Sequence, residues 1–277
     1  MKNIRISVVI ITLLGVIIPK VNQAQDINVK IGHVDSLRSE ILKENRKIIV
    51  HLPDSYNESN DKYPVLYRLD GDADLMLETV STVNRLIYSD EVAPEMIIVA
   101  IENTNRARDM WPVNTVYYPE TEKVGAKDFL EFIEQELIPF IDKNYQTNQN
   151  RIICGQSLSG VFILYAFLTN PELFNSYIVS SGAFPGCNNY FMDLRDKSFQ
   201  QIDKFNGRKI FITNGLQDPL DPDGEIQKQI LDFSNSIKNK IGNKVLHKYL
   251  TYENEGHVPF HSLYDGLRFI FESNINE

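Results

Sequence analysis

The chain has 277 residues, 43% of them hydrophobic and 23% charged, and a formal charge of −9. Such a composition suits one large globular domain with a sizeable core and excludes disordered and fibrous classes. The acidic balance repels phosphate backbones, which argues against nucleic acid as a partner, and two cysteines are too few for a disulfide scaffold.

Taken in chain order, the first residues read differently from the rest. Lys2 and Arg5 precede an apolar run from Ile6 to Ile18, and small and polar residues follow around Ala24 and Gln25. This order predicts a secretory signal peptide over residues 1–24, with 25–277 as a single domain. A spanning helix needs about 20 apolar residues, and Pro19 and Lys20 end this run early. No cysteine follows it, so no lipid anchor is expected, nor any stable membrane anchor once the signal is removed. Asn22 fits a cleavage site poorly and leaves the cut open. Losing Lys2, Arg5 and Lys20 moves the formal charge from −9 to −12. The expected location is periplasmic or secreted.

Beyond the signal, short apolar runs alternate with helical spacing. Strands are predicted at Lys47–Leu52, Pro64–Leu69, Met96–Ile101, Arg151–Cys154, Tyr177–Ser180, Lys209–Thr213 and Val245–Tyr252. Several are continuously apolar, as expected of strands covered on both faces. Helices are predicted at Leu75–Tyr88, Ala126–Tyr145, Ser157–Leu168, Gly224–Lys240 and Ser262–Glu272. In the second, Phe129, Phe132, Ile133, Leu137 and Phe140 make a core-facing stripe. The pattern predicts an α/β fold, a mostly parallel sheet flanked by helices. The segment ending in Lys47–Leu52 reads as its antiparallel start.

The ten residues Arg151–Gly160 carry the strongest chemical signal. An apolar strand runs into Gly155, then Ser157, then Ser159 and Gly160, then a helical run. This is a strand–turn–helix with a serine at its tip, a nucleophile elbow. Positions two before and two after the nucleophile must be small, and Gly155 and Ser159 meet that need, although glycine is usual where Ser159 stands. A serine capping a helix after a glycine turn is the alternative; the buried-type strand before it favours the nucleophile.

A serine hydroxyl needs a base, and the base an orienting acid. In this fold both follow the serine, acid first. The run Lys209–Thr213 leads through Asn214 and Gly215 to Asp218, the expected acid, with Asp221, Asp223 and Glu225 as substitutes or a solvated acidic loop. Of five histidines, His33 and His51 precede the serine and His247 lies in a strand. His257 follows the last strand and is the expected base, with His261 in reserve. Their spacing of four lacks the glutamate of a zincin, and Pro259 intervenes, so no metal and no cofactor is expected.

The oxyanion of an acyl-transfer intermediate needs backbone donors. The N–H of Leu158 is expected to be one, and that of Asp72, in the Leu69–Ala73 loop, the other. The Asp70, Asp72, Asp74 spacing lacks the glycine and glutamate of a calcium loop. Arg106, Arg108 and Trp111 follow the Met96–Ile101 strand, at the rim where ligands bind. They are expected to hold an acidic or aromatic acyl group by forked hydrogen bonds and stacking, or else to brace the loop through Asp109. Cys154 reads as a buried small hydrophobe, and a bridge to Cys187 stays open.

With these residues assembled, the chain resembles the esterase D (putative esterase) family of the α/β-hydrolase superfamily, from about Ile31 onward. The resemblance rests on "VHLP" at 50–53, "YPVLYRLDGD" at 63–72, "IENTNRARDMWP" at 101–112, "GQSLSG" at 155–160, "NGLQDP" at 214–219 and "EGHVPFHSLYDGLRFIF" at 255–271. It implies a metal-independent acyl-ester hydrolase, related to siderophore-lactone, feruloyl and acetyl-xylan esterases, with Ser157 and His257 carried over directly and the acid less firmly. Ser159 and the stretch 183–190, without a tryptophan, depart from the family's pattern. The implied substrate is a small-molecule or saccharide ester. A catalytically silent binding protein and an acyltransferase share these residues, and the oligomeric state is not legible.

Overall fold

We describe a computed structural model that covers residues 29–115, 118, 123–182 and 186–272. The expected signal peptide lies outside the described residues. Among them, no helix is long and apolar enough to cross a membrane.

Eight strands form one sheet: β1 (His33–Ser39), β2 (Glu44–His51), β3 (Tyr63–Arg68), β4 (Ile97–Ile101), β5 (Thr147–Gln156), β6 (Ser176–Ser180), β7 (Arg208–Gly215) and β8 (Val245–Tyr252). Their spatial order is β1-β2-β4-β3-β5-β6-β7-β8. β2 pairs antiparallel with both β1 and β4, and the other neighbours are parallel. The antiparallel start and the parallel body both follow the sequence pattern.

Successive side chains of a strand face opposite sides of the sheet, and here each side has its own core. Val65, Tyr67, Val99, Ile153, Val179 and Ile212 pack on one face. Leu66, Ile98, Ile152, Ile178 and Phe211 pack on the other. A strand buried on both faces has no polar side to show, which is why β4 reads as an unbroken apolar run and why β3 and β6 are apolar but for Arg68 and the serines at their ends.

Helices cover both faces: α1 (Ala73–Asn84), α2 (Arg106–Met110), α3 (Ala126–Phe132), α4 (Ile138–Asn144), α5 (Leu158–Thr169), α6 (Asn188–Ser198), α7 (Glu225–Ile241) and α8 (Ser262–Glu272). The single helix predicted over Ala126–Tyr145 is divided by a π turn at Ile133–Leu137. Pro139 follows at once; it has no N–H to donate one turn back, and a widened turn accommodates that loss. Likewise α1 ends in a π turn at Arg85–Ser89. α2 and α6 were not predicted, one for its length of five residues, the other for its polar sequence with two buried residues, Phe191 and Arg195. Cys154 and Cys187 are free, buried thiols rather than a bridge; burial pushes Cys187 up to about 12.

Candidate active site

The parallel strands place their C-terminal ends along one rim, and the chemistry-bearing residues gather there. β5 runs into Ser157, which has φ 56° and ψ −124° and precedes α5 without a capping hydrogen bond from its side chain. A non-glycine residue at positive φ is held against steric resistance. Its N–H donates to the Ser180 carbonyl at 2.9 Å, tying the turn to β6. The tightness of the turn explains the small residues around it. A Cβ on Gly155 would lie 2.7 Å from Ser159 Oγ. The Ser159 hydroxyl, where glycine is usual, accepts from the Gln156 N–H at 2.7 Å and donates to the Gln156 carbonyl at 2.7 Å. The departure noted in the sequence thus adds two hydrogen bonds that pin the elbow.

Two loops on neighbouring strands complete the group. After β7, Asp218 is only 10% exposed at its side chain, and its Oδ1 accepts from the Leu220 N–H at 2.8 Å. After β8, the loop turns back to place His257. Its Nδ1 lies 2.6 Å from Asp218 Oδ2, and its Nε2 lies 2.8 Å from Ser157 Oγ. Serine, imidazole and carboxylate, 39 and 100 residues apart in sequence, form one hydrogen-bonded chain. With Nδ1–H donated to the carboxylate, Nε2 is left as the acceptor facing the hydroxyl.

The substitutes stand elsewhere. Asp221 accepts from the Ile226 and Gln227 N–H groups at 2.9 and 2.8 Å, capping α7. His261 is 58% exposed at its side chain and faces Glu255 at 3.5 Å. Asp223 and Glu225 lie near the start of α7, outside the hydrogen-bonded chain.

Leu158 is the first residue of α5, and a first-turn N–H has no acceptor inside its own helix. The expected second donor requires correction. The Asp72 N–H donates to the Asp70 carbonyl at 2.9 Å, and the Asp72 side chain caps α1 through the Leu75 N–H. The turn that brings Asp70 to φ 55° folds that N–H back on its own loop.

The three residues expected to hold substrate separate into two groups. Arg106 makes a forked pair with Asp70, Nε to Oδ1 at 2.7 Å and Nη2 to Oδ2 at 2.9 Å, and Nη2 also reaches the Gln156 carbonyl at 3.3 Å. Burial alone would raise the Asp70 carboxyl, but the bonds from Arg106 and Asn103 hold it below its ordinary value. Arg106 is therefore fixed beside the residue that precedes Ser157, with Nη1 left over. Sequence reading did not foresee Asp70 as its partner, because the pairing of β3 with β4 that brings their loops together has no local signal. For Arg108 and Trp111 the expected substrate contact is corrected. Arg108 binds Glu44 and Asp109 at 2.6 Å each, and Trp111 is 6% exposed within the core. These bonds fasten β2 to α2, the bracing alternative.

Residues 39–260 match the family described as "Putative esterase", so the chain belongs to that family. Its eight-stranded, mostly parallel sheet with flanking helices is that of the α/β hydrolases. The ferri-bacillibactin esterase BesA of Bacillus subtilis is 32% identical over 167 residues, 54% of this chain and 57% of that protein. This chain thus matches little more than half the length of that curated relative. An IroE-like serine hydrolase from Shewanella oneidensis superposes with a TM-score of 0.79 at 28% identity, covering 87% of this chain and 80% of the other. The siderophore hydrolase EstA of Aspergillus nidulans, at 19% identity, shares the fold with a TM-score of 0.71 over 92% of this chain and 99% of its own.

Proposed function

We propose that this chain is a serine carboxylic-ester hydrolase, exported from the cell, whose substrate is a siderophore-type lactone. The observation that carries the reading is the Ser157–His257–Asp218 chain, with contacts of 2.8 and 2.6 Å. His257 Nε2 takes the Ser157 proton as Oγ bonds to the ester carbonyl carbon. The Leu158 N–H stabilises the resulting oxyanion. Collapse of the intermediate expels the alcohol, which leaves with the proton from His257. Water, deprotonated by the same imidazole, then releases the acid and restores Ser157. Asp218 holds the ring in the tautomer this needs and stabilises it when protonated.

The substrate class is supported by the ferri-bacillibactin esterase and siderophore hydrolases among the similar proteins. Arg106, beside the nucleophile, supplies a fixed cation for an acidic or catechol-bearing acyl group. Export is supported by Lys2, Arg5 and the apolar run after them.

The test is a fluorophosphonate label on the purified protein, followed by turnover of a catechol-siderophore lactone, a feruloylated sugar and simple p-nitrophenyl esters. The expected result is a label on Ser157 and the highest kcat/KM for the lactone. Absence of labelling would favour a silent binding protein, and preference for the feruloylated sugar would move the substrate to acylated saccharides. Transfer of the acyl group to an added alcohol in place of water would mark an acyltransferase. Cell fractionation with N-terminal sequencing tests export; protein confined to the cytoplasm with an intact Met1 would remove it.

A further inference from the structure

The loop that joins His257 to α8 divides sharply in exposure. Pro259 is buried, while Phe260 beside it is 69% exposed. Among the described residues it is the only exposed phenylalanine. One apolar side chain in water is ordinary on a protein surface. This one forms a wall of a groove with other aromatic rings.

The groove has a volume of about 440 Å³ and is lined by Ser81, Thr82, Arg85, Phe260, His261 and Tyr264. It lies between α1 with its following turn and α8 with its preceding loop. Sites for small ligands span about 300–1,000 Å³. Phe260 meets the His261 ring edge-on, with centroids 5.5 Å apart. The Arg85 guanidinium lies 5.8 Å from the centre of the Tyr264 ring and pairs with Asp90 at 3.4 Å. Among the described residues, the Ser81 and Thr82 hydroxyls take part in no side-chain hydrogen bond. Two carboxylates stand close by, both engaged. Glu255 accepts from the Phe260 N–H at 3.3 Å and faces His261 at 3.5 Å, and Asp90 accepts from the Tyr264 hydroxyl at 2.8 Å.

Phe260 also lines a second cavity, whose wall includes Gln156 and Val258, the neighbours of Ser157 and His257. Three residues of chain separate Phe260 from His257, a span of at most about 11 Å. A group in the groove is therefore within reach of an ester held at Ser157. We propose that the groove is a subsite for a hydroxylated aromatic ring, on a substrate that carries more than one aryl arm. The inference rests on the hydrolase reading above. Phe260 and Tyr264 offer offset or edge-on ring contacts, and Arg85 attracts an electron-rich ring as a cation. Ser81 and Thr82 are free to bond the ring hydroxyls. A saturated ring of equal size forfeits the cation and quadrupole attraction. Glu255 and Asp90 repel a free carboxylate, so the ring is one joined to its substrate through a neutral amide or ester.

The experiment is calorimetric titration of the full chain with dihydroxybenzamide, benzamide and cyclohexanecarboxamide. The wild type binds dihydroxybenzamide saturably, benzamide several-fold more weakly and cyclohexanecarboxamide weakest of all. Phe260→Ala, at an exposed position, keeps the wild-type Tm and weakens dihydroxybenzamide about tenfold, the scale of one aromatic pair. Arg85→Gln weakens it several-fold. Phosphonylation of Ser157 leaves the affinity unchanged. In turnover, Phe260→Ala lowers the ratio of kcat/KM for an ester with two dihydroxybenzoyl arms to that for an ester with one. Equal affinity for dihydroxybenzamide in wild type and Phe260→Ala would overturn the proposal. Loss of binding on phosphonylation would also overturn it, by placing the ring at the nucleophile. If Ser157 takes no label and no ester turns over, the hydrolase reading fails, and the titrations of wild type and Phe260→Ala still decide whether the groove holds the ring.

Discussion

The Gln217 N–H donates to the Glu255 carbonyl at 3.0 Å, so the loop that carries Asp218 is stitched to the loop that carries His257. The stitch requires close approach at the end of β7. A Cβ on Gly215 would meet the Gly256 carbonyl oxygen at 2.0 Å and that of Glu255 at 2.3 Å. Gly215→Ala must push the two loops apart. We expect kcat to fall about 100-fold, the scale of a 1 Å misplacement, with stability lowered by about 1–3 kcal/mol. Steady-state kinetics and chemical unfolding would check both; unchanged kcat would mean the stitch does not set the geometry.

Ser157→Ala removes one hydroxyl and should leave folding intact while kcat drops by about 10⁶, as for other triad serines. His257→Ala should be comparably inactive and His261→Ala near normal. A purified Ser157→Ala protein that turns over esters at the wild-type rate would end the proposed mechanism.

The carboxylates of the 218–225 loop separate by role. Asp218→Asn should lose about 10⁴ in kcat, since the amide no longer fixes the imidazole tautomer. Asp221→Ala removes a helix cap and should cost about 1 kcal/mol of stability with kcat unchanged. The opposite pattern would transfer the orienting role to Asp221.

Arg106 and Arg108 should part in the same way. Arg108→Ala breaks the bonds to Glu44 and Asp109, so Tm should fall while neutral and anionic esters lose kcat/KM equally. Arg106→Ala should lose more on the anionic ester, a difference that shrinks in high salt. Equal losses in both variants would confine Arg106 to holding Asp70.

His247 provides a stability prediction away from the site. Burial, together with the nearby Lys238, lowers it to about 4, against about 6.5 in the unfolded chain. The unfolded state therefore binds the extra proton between these values. The contribution is fully present above pH 6.5 and is lost as pH falls towards 4, with a slope approaching about 1.4 kcal/mol per pH unit. His247→Gln should unfold with a shallower acid limb than wild type; identical limbs would show that the imidazole titrates normally.

The elements legible in the sequence are those with a strong local cause. β8 coincides with its predicted range because Val245–Tyr252 is bounded by turns on both sides. The elbow is legible because strand, glycine and serine follow one another. The partners of each rim side chain are another matter. Asp70 and Arg106 meet only because β3 lies beside β4, and Arg108 meets Glu44 only because β2 lies on the far side of β4. Lateral order is not written in any local pattern. The Asp72 N–H was misjudged for a different reason: a positive φ at Asp70, a residue with a side chain, reverses the turn in a way its identity does not announce.

α5 is apolar around its whole circumference, with every residue from Ser159 to Leu168 buried. A helix enclosed on all sides has no slack, since dense interiors resist displacement. The serine at its head therefore sits on the least adaptable part of the molecule, while Asp218, His257 and the exposed Leu220 and Phe260 ride on surface loops. Any change in substrate range among descendants of this chain should accumulate in the loops after β7 and β8. Libraries built on α5 should yield unfolded protein before they yield new specificity.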